Sequence, residues 1–343
     1  MSITRKKNNL PYRAGLLTAS SKGRMFLIII LCLIAVFQSG LRDPNKLPDG
    51  NDTPVYQMAY IELLKTPWSS VMNDFAIVSN EYSGRDSGYE VFMKLTQYIW
   101  DDFTFFMFLT TIFFMIPFGM LIYKYVKSYL GIILVFAIYF SIFTTLVNSF
   151  MRQAITMGIT LFSIRYIISR NWKYYYGLML IALSIHSSAI AAFPFYFFPL
   201  LCKSEKWLKL SFVAAPVLIL FLQPLMQYFL VGSVYDKYAI AEMVNPVNYM
   251  ALIVSISLLA VIFYDKIRQI EDNEILISAA IGTMLLLPVV FMGNTLLRVS
   301  YYYVYVLILL LPVVIDLIKM PKSVRASTYL LLISFFIFMI FRK

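Results

Sequence analysis

The chain has 343 residues, of which 60% are hydrophobic, 17% aromatic and only 14% charged. A soluble domain carries about 25% charged residues, so this composition, with a mean hydropathy of +0.75, excludes a soluble enzyme and defines an all-α polytopic membrane protein. A single histidine and two cysteines in apolar runs, Cys32 and Cys202, exclude a disulfide framework, a cysteine metal site and an all-histidine metal site.

The net charge of +11 is not a nucleic-acid signal, because the two signs are segregated: the first 42 residues hold no acid and residues 42–102 hold ten of the 18. Such asymmetry reports orientation across a bilayer. Residues 1–24, with Arg5, Lys6, Lys7, Arg13, Lys22 and Arg24, read as a cytoplasmic basic tail. Residues 25–343 read as one polytopic membrane domain. Its first apolar run, 25–41, is expected to be a retained signal anchor. The acidic segment 42–102 then forms a large outer loop between the first two crossings. Within it, Thr53 before Pro54 predicts a helix N-cap and first helical residue. Met58, Ile61 and Leu64 make an apolar face that lies on the membrane. Asp101-Asp102 is expected to cap the second crossing.

Further apolar runs cover 103–123, 130–150, 154–168, 210–231, 249–264, 275–295, 299–318 and 326–341. Each must be helical, since an open strand cannot satisfy its backbone in lipid. Run 174–201 has 28 residues, too long for one comfortable crossing and short for two. Its middle, Ser184-Ile185-His186-Ser187-Ser188, is polar, and Pro194 and Pro199 interrupt the rest. As a re-entrant hairpin with its tip near His186, it leaves Lys203, Lys206, Lys209, Lys266, Arg268, Lys319, Lys322 and Arg325 inside. Only Lys237, Arg298, Arg342 and Lys343 then lie outside. A single crossing inverts that balance, so the positive-inside rule selects the hairpin. The expected fold is about nine transmembrane helices plus one re-entrant helical hairpin, with the N-terminus cytoplasmic and the C-terminus outside.

In this topology Arg152, His186 and Arg298 converge at the outer side, beneath the acidic loop. Ionisable groups at the membrane are costly and mark functional sites. Arg152 is either a snorkelling interfacial arginine or a fork for an anionic head group. Arg298 has the same two readings, and the Tyr301-Tyr302-Tyr303 after it is an interfacial belt or a sugar-stacking surface. His186 is either a hydrogen-bonded packing residue or a general base near neutral pH. Asp52 and Glu90 are solvated carboxylates, or acids that activate a hydroxyl or orient an arginine. Tyr235 and Tyr238 belong to a belt or touch sugar.

Gly50-Asn51-Asp52-Thr53 with Tyr56, Gly88-Tyr89-Glu90, Met151-Arg152-Gln153-Ala154, Ala182 with His186-Ser187-Ser188-Ala189, the Tyr235/Tyr238 pair and the late Arg298 together resemble the EpsG family, related to Wzy-type polysaccharide polymerases. The resemblance runs from about residue 25 to about 315. It implies a GT-C-like membrane glycosyltransferase at the outer face of a bacterial inner membrane. Such an enzyme joins polyprenyl-diphosphate-linked repeat units and releases polyprenyl diphosphate, with no metal, nucleotide or other cofactor. It implies His186, Asp52 and Glu90 as catalytic candidates and Arg152 and Arg298 on the diphosphate. Gln153, Tyr56, Tyr89, Tyr235 and Tyr238 then contact sugar or support the site. The implied partners are the lipid-linked donor and acceptor, the bilayer and a chain-length-regulating membrane protein, but no nucleic acid. The rival readings are a flippase for the same lipid-linked sugars, a membrane acyltransferase with His186 as base, and an assembly subunit without catalysis.

Overall fold

Among the described residues, each apolar run expected from the sequence falls on a helix in the computed structural model, which describes residues 20–45, 52–76, 87–230, 246–290 and 294–342. The chain begins with α1 (Ser21–Gly40), whose first turn is capped by the Ser20 hydroxyl. Three helices follow over the expected outer loop: α2 (Thr53–Lys65), α3 (Trp68–Ala76) and α4 (Ser87–Ile99). Then come α5 (Phe103–Tyr125), α6 (Tyr129–Ser149), α7 (Met151–Ile168) and α8 (Trp172–Ile185). The last elements are α9 (Glu205–Leu230), α10 (Val247–Ile262), α11 (Glu274–Val290), α12 (Arg298–Leu317) and α13 (Lys322–Phe341). Among the described residues, α1, α5, α6, α12 and α13 are long and apolar enough to cross a bilayer.

The packing gives the body two polar ends. At one, Arg24 of α1 donates to the carbonyls of Tyr123 and Val126, each at 3.0 Å, while Phe37 meets Phe108 edge-on at 5.7 Å further along. α1 and α5 are therefore antiparallel. Where α5 meets α7, Gly158 allows contact with the Phe113 backbone; a Cβ there would sit 2.9 Å from the Phe113 carbonyl carbon. Close approach at small residues is how helices pack when water supplies no driving force between them. The α5–α6 turn carries Lys124 and marks one end of the body; His186 marks the other.

Residues 172–201 form a hairpin. α8 stops at Ile185, and a 3-10 helix, Ser187–Tyr196, runs back along it. Tyr175 OH donates to Ala192 O at 2.6 Å and Tyr176 OH to Phe193 O at 3.2 Å, so residues near the start of the first limb face the second limb. Fourteen α residues rise about 21 Å and ten 3-10 residues about 20 Å. The return limb continues through Phe198–Leu201, and each limb is shorter than the roughly 30 Å hydrocarbon core. The helix break falls at the residue expected from sequence, His186.

α2, α3 and α4 form a cap over the His186 end. Its own small core contains Tyr56, Tyr60, Leu63, Val71, Tyr89 and Met93, packed on Phe106, Met151 and Ile185 of the body. Met58, Ile61 and Leu64 face away from that core and are exposed, as their spacing predicts. Asp102 caps α5 by accepting from Phe105 N at 2.9 Å, also as expected.

Two local expectations are corrected. Thr53 is the first helical residue rather than the cap; Asp52 occupies the N-cap position without a side-chain cap bond. Thr53 instead donates its hydroxyl to Asn148 O at 2.6 Å, a partner distant in sequence. Tyr302 and Tyr303 are neither belt nor sugar surface: each is 1% exposed. Their hydroxyls serve as struts inside the body, because α12 is packed on all sides and leaves no interface for them to line.

Candidate functional site

Three interruptions of helix place the polar residues at the His186 end. The first is at Phe150 (φ −121°, ψ 57°), between α6 and α7. It puts Arg152 in the first turn of α7, next to the cap. Arg152 Nε donates to Tyr56 OH at 3.3 Å, and its guanidinium lies 5.2 Å from the Tyr56 ring and 5.9 Å from the Tyr89 ring. The two rings meet edge-on at 5.6 Å. A guanidinium near aromatic faces is held by the ring quadrupoles. Burial raises the Tyr56 phenol above its ordinary value, against the opposing charge and hydrogen bond of Arg152, so Tyr56 is a neutral hydroxyl at neutral pH.

The second interruption is the turn Arg298–Ser300 at the start of α12. The buried Gln153, next to Arg152, donates from Nε2 to Arg298 O at 3.0 Å. Arg298 lays its guanidinium 3.6 Å over the Phe150 ring. One residue, Gln153, thus fixes the spacing between the backbones that carry the two arginines.

The third interruption is the hairpin apex. Ser188 Oγ and Tyr302 OH lie 3.0 Å apart, and Tyr302 OH and Thr156 Oγ1 2.7 Å, so one phenol ties apex, α12 and α7 together. Tyr303 OH donates to Ala191 O at 2.7 Å. His186, half-buried at this apex, lies within electrostatic reach of Arg152, Arg298 and Asp52. Asp52 is half-buried at the start of α2 and acts on both Tyr56 and His186. Glu90 is half-buried in the first turn of α4. That turn rests on the hairpin through Gly88: a Cβ there would collide with the Ser184 hydroxyl and lie 2.8 Å from the Ser184 carbonyl oxygen.

Residues far apart in sequence, Asp52, Tyr56, Tyr89, Arg152, Gln153, His186 and Arg298, therefore belong to one neighbourhood. Glu90 sits two residues beyond the Gly88 contact with the apex. Tyr56 and Tyr89, 5% and 3% exposed, stand behind Arg152 as a wall. Tyr235 and Tyr238 lie outside the described residues. Among the described residues no group of three or more His, Cys, Asp or Glu is placed to hold a metal ion.

Sequence reasoning missed Arg42. Its Nη2 donates to Asn148 O at 2.7 Å and its Nη1 to Ser39 O. Burial lowers its guanidinium to about 10, which leaves it cationic at neutral pH. The available signal was its position: a basic residue directly after the first apolar run, on the side that the charge count reads as outer.

Two cationic forks and an imidazole beside carboxylates form an arrangement suited to an anionic ligand whose neighbour must gain or lose a proton. The fold itself is that of an all-helical polytopic membrane protein. The chain belongs to the EpsG family, which it matches over residues 25–342. That family includes Wzy-type polysaccharide polymerases, which makes this a polysaccharide polymerase-type membrane protein. Comparison with curated proteins and with solved structures gives no match.

Proposed function

We propose that the protein is a membrane glycosyltransferase that joins polyprenyl-diphosphate-linked oligosaccharide units at the outer face of a bacterial inner membrane. In this reading the body makes nine crossings, residues 172–201 are a re-entrant hairpin, and the His186 end faces outward. The observation that carries the proposal is the coupling of Arg152 and Arg298 through Gln153, with His186 in reach of both charges.

The chemistry follows from those groups. A hydroxyl of the acceptor unit attacks the anomeric carbon of the donor glycan. The new C–O bond forms as the bond to the diphosphate breaks, and the electron pair leaves with the diphosphate. Arg152 and Arg298 stabilise that growing negative charge, as preorganised cations do in a water-poor site. The hydroxyl proton passes to a base drawn from His186, Asp52 and Glu90. The bilayer holds the lipid tails of both substrates, and no nucleotide or metal enters the reaction. Tyr56 and Gln153 hold the arginines, and Tyr89 backs them.

The test uses purified protein in lipid with a synthetic polyprenyl-diphosphate repeat unit, with and without chelator. A ladder of longer lipid-linked glycans and released polyprenyl diphosphate is expected in both conditions. Loss of the ladder in His186→Ala makes His186 the base, whereas persistence moves that role to Asp52 or Glu90. Folded protein that gives no ladder with any repeat unit of its own pathway would replace the polymerase by the flippase reading.

A further inference from the structure

We propose that Arg42 is a positioning residue for Arg152, acting through a polar knot on the carbonyl of Asn148. The role rests on the polymerase reading for its effect on catalysis, but the knot itself does not.

Arg42 follows α1 by two residues. One nitrogen of its guanidinium donates to Ser39 O, at the end of α1, and the other donates to Asn148 O at 2.7 Å, at the end of α6. Both carbonyls belong to the last turn of a helix, where four acceptors lack an intrahelical donor. The dipoles of both helices also place partial negative charge there. A single cation thus closes two helix ends and locks them together. The Ser39 hydroxyl, hydrogen-bonded to Asn148 Oδ1, adds a second link between the same ends.

Asn148 O takes one more donor. Thr53 Oγ1 reaches it at 2.6 Å. A carbonyl has two lone pairs, and here Arg42 and Thr53 occupy both. The knot therefore joins the ends of α1 and α6 to the start of α2. Each strand of the knot continues directly to Arg152 or to its partner. Asn148 stands four residues before Arg152, across the Phe150 break. Thr53 stands three residues before Tyr56, the hydroxyl that accepts from Arg152 Nε at 3.3 Å. The Thr53 to Tyr56 separation is about one helical turn, and the Asn148 to Arg152 separation is a single break between two helices. Asn148 O is thus the common origin for the side chain and for its hydrogen-bond partner. If it moves, the Arg152 to Tyr56 geometry moves with it.

Each terminal nitrogen of Arg42 donates to a protein carbonyl, and its Nε is buried. Its charge also reaches Tyr89, one of the two rings behind Arg152.

The test compares ladder growth in lipid for Arg42→Gln, Arg42→Lys and Thr53→Val. Loss of a charge-assisted pair of bonds predicts about a 30-fold slower ladder for Arg42→Gln, and retention of the charge predicts a partial rescue to about fivefold for Arg42→Lys. A merely structural role would multiply with any other loss, so each variant is also combined with Arg152→Lys, which keeps the charge and is expected to retain measurable growth. Arg42→Gln is expected to add less than about twofold to the Arg152→Lys loss, because both act through one guanidinium. Full multiplication of the two losses would overturn the positioning role. Thr53→Val removes a single hydroxyl and gives the same cycle if Arg42→Gln does not fold. An arm without catalysis separates this idea from the polymerase reading. Thermal unfolding midpoints of Arg42→Gln and Thr53→Val are expected not to add in the double variant, since they share Asn148 O. Additive midpoints would overturn the knot, whatever reaction the protein performs.

Discussion

The two ends of the helical body use polar residues in different ways. At the Lys124 end, polar groups close on one another between continuous helices. Lys124 pairs with Asp272 at 2.5 Å, and Tyr125 OH donates to Asp272 O at 3.1 Å. Asp316 accepts from Ser128 and from Tyr329, both at 2.9 Å, so one carboxylate joins α6, α12 and α13. At the His186 end, helices are interrupted at Phe150, at His186 and at Arg298, and the guanidiniums lie on aromatic rings. A ring positions a cation through its negative face, whereas a carboxylate at contact distance holds one by ion pairing. The first arrangement joins continuous helices. The second gathers arginines, a histidine and carboxylates from interrupted helices, and a layer of tyrosine, glutamine and backbone contacts holds them.

The largest effects should separate the ends by activity. Arg152→Ala and Arg298→Ala are each expected to reduce polymer formation by more than about 100-fold, the loss typical of removing one preorganised donor from a developing anion. Both proteins should remain folded, as read by monodispersity and thermal unfolding. Normal polymer in either variant would remove that arginine from the diphosphate.

Next come the helix contacts that hold the body together between the ends. Gly158→Ala drives a Cβ into the Phe113 carbonyl, which is backbone and cannot rotate away. A loss of about 3 kcal/mol is expected, at the upper range of overpacking. Gly177 is the control within the same bundle: a Cβ there meets nothing within 4 Å. Gly177→Ala should stabilise α8 by about 0.5–1 kcal/mol through helix propensity. Unfolding midpoints that move the same way in both variants would contradict the packing.

How much of this was legible in the sequence differs between the ends for a physical reason. The helices, the break at His186 and the exposed face of Met58, Ile61 and Leu64 follow from hydropathy and spacing, which are local. The grouping of Arg152, His186 and Arg298 followed from the cost of charge in lipid and from the hairpin, which charge asymmetry selected. Arg42 and the roles of Tyr302 and Gln153 were not legible, because each acts through a partner about 100 or more residues away in the chain, or on a backbone carbonyl that has no residue-type signature. Thr53 shows the same limit. Its local context reads as a cap, and a distant carbonyl takes its hydroxyl instead.

A smaller effect tests whether the struts of the His186 end matter to its function. Tyr302→Phe keeps the ring in the core and deletes the hydroxyl shared by Thr156 and Ser188. The half-buried Ser188 then loses a partner, and the buried Thr156 keeps only its bond to Gln153 O, at a cost of about 1 kcal/mol. The hairpin apex loses its tie to α12, so slower ladder growth should accompany the lower midpoint. A lower midpoint with unchanged growth would make the strut purely structural.

The smallest effect belongs to the Lys124 end, and its smallness is the point. Lys124→Met breaks the pair with Asp272, whose side chains are 35% and 19% exposed. Water and counter-ions screen a pair of this kind, and pairs at the surface contribute under about 1 kcal/mol. Tyr125 OH still reaches Asp272 O, so the turn between α5 and α6 keeps a link to the residues before α11. The methionine stem covers the same apolar surface that the lysine stem covered. The unfolding midpoint should therefore move slightly, and the ladder should be unchanged in length and amount. A strong loss of polymer in Lys124→Met would show that charge at this end also takes part in the reaction, and the division between a joining end and a reacting end would fail.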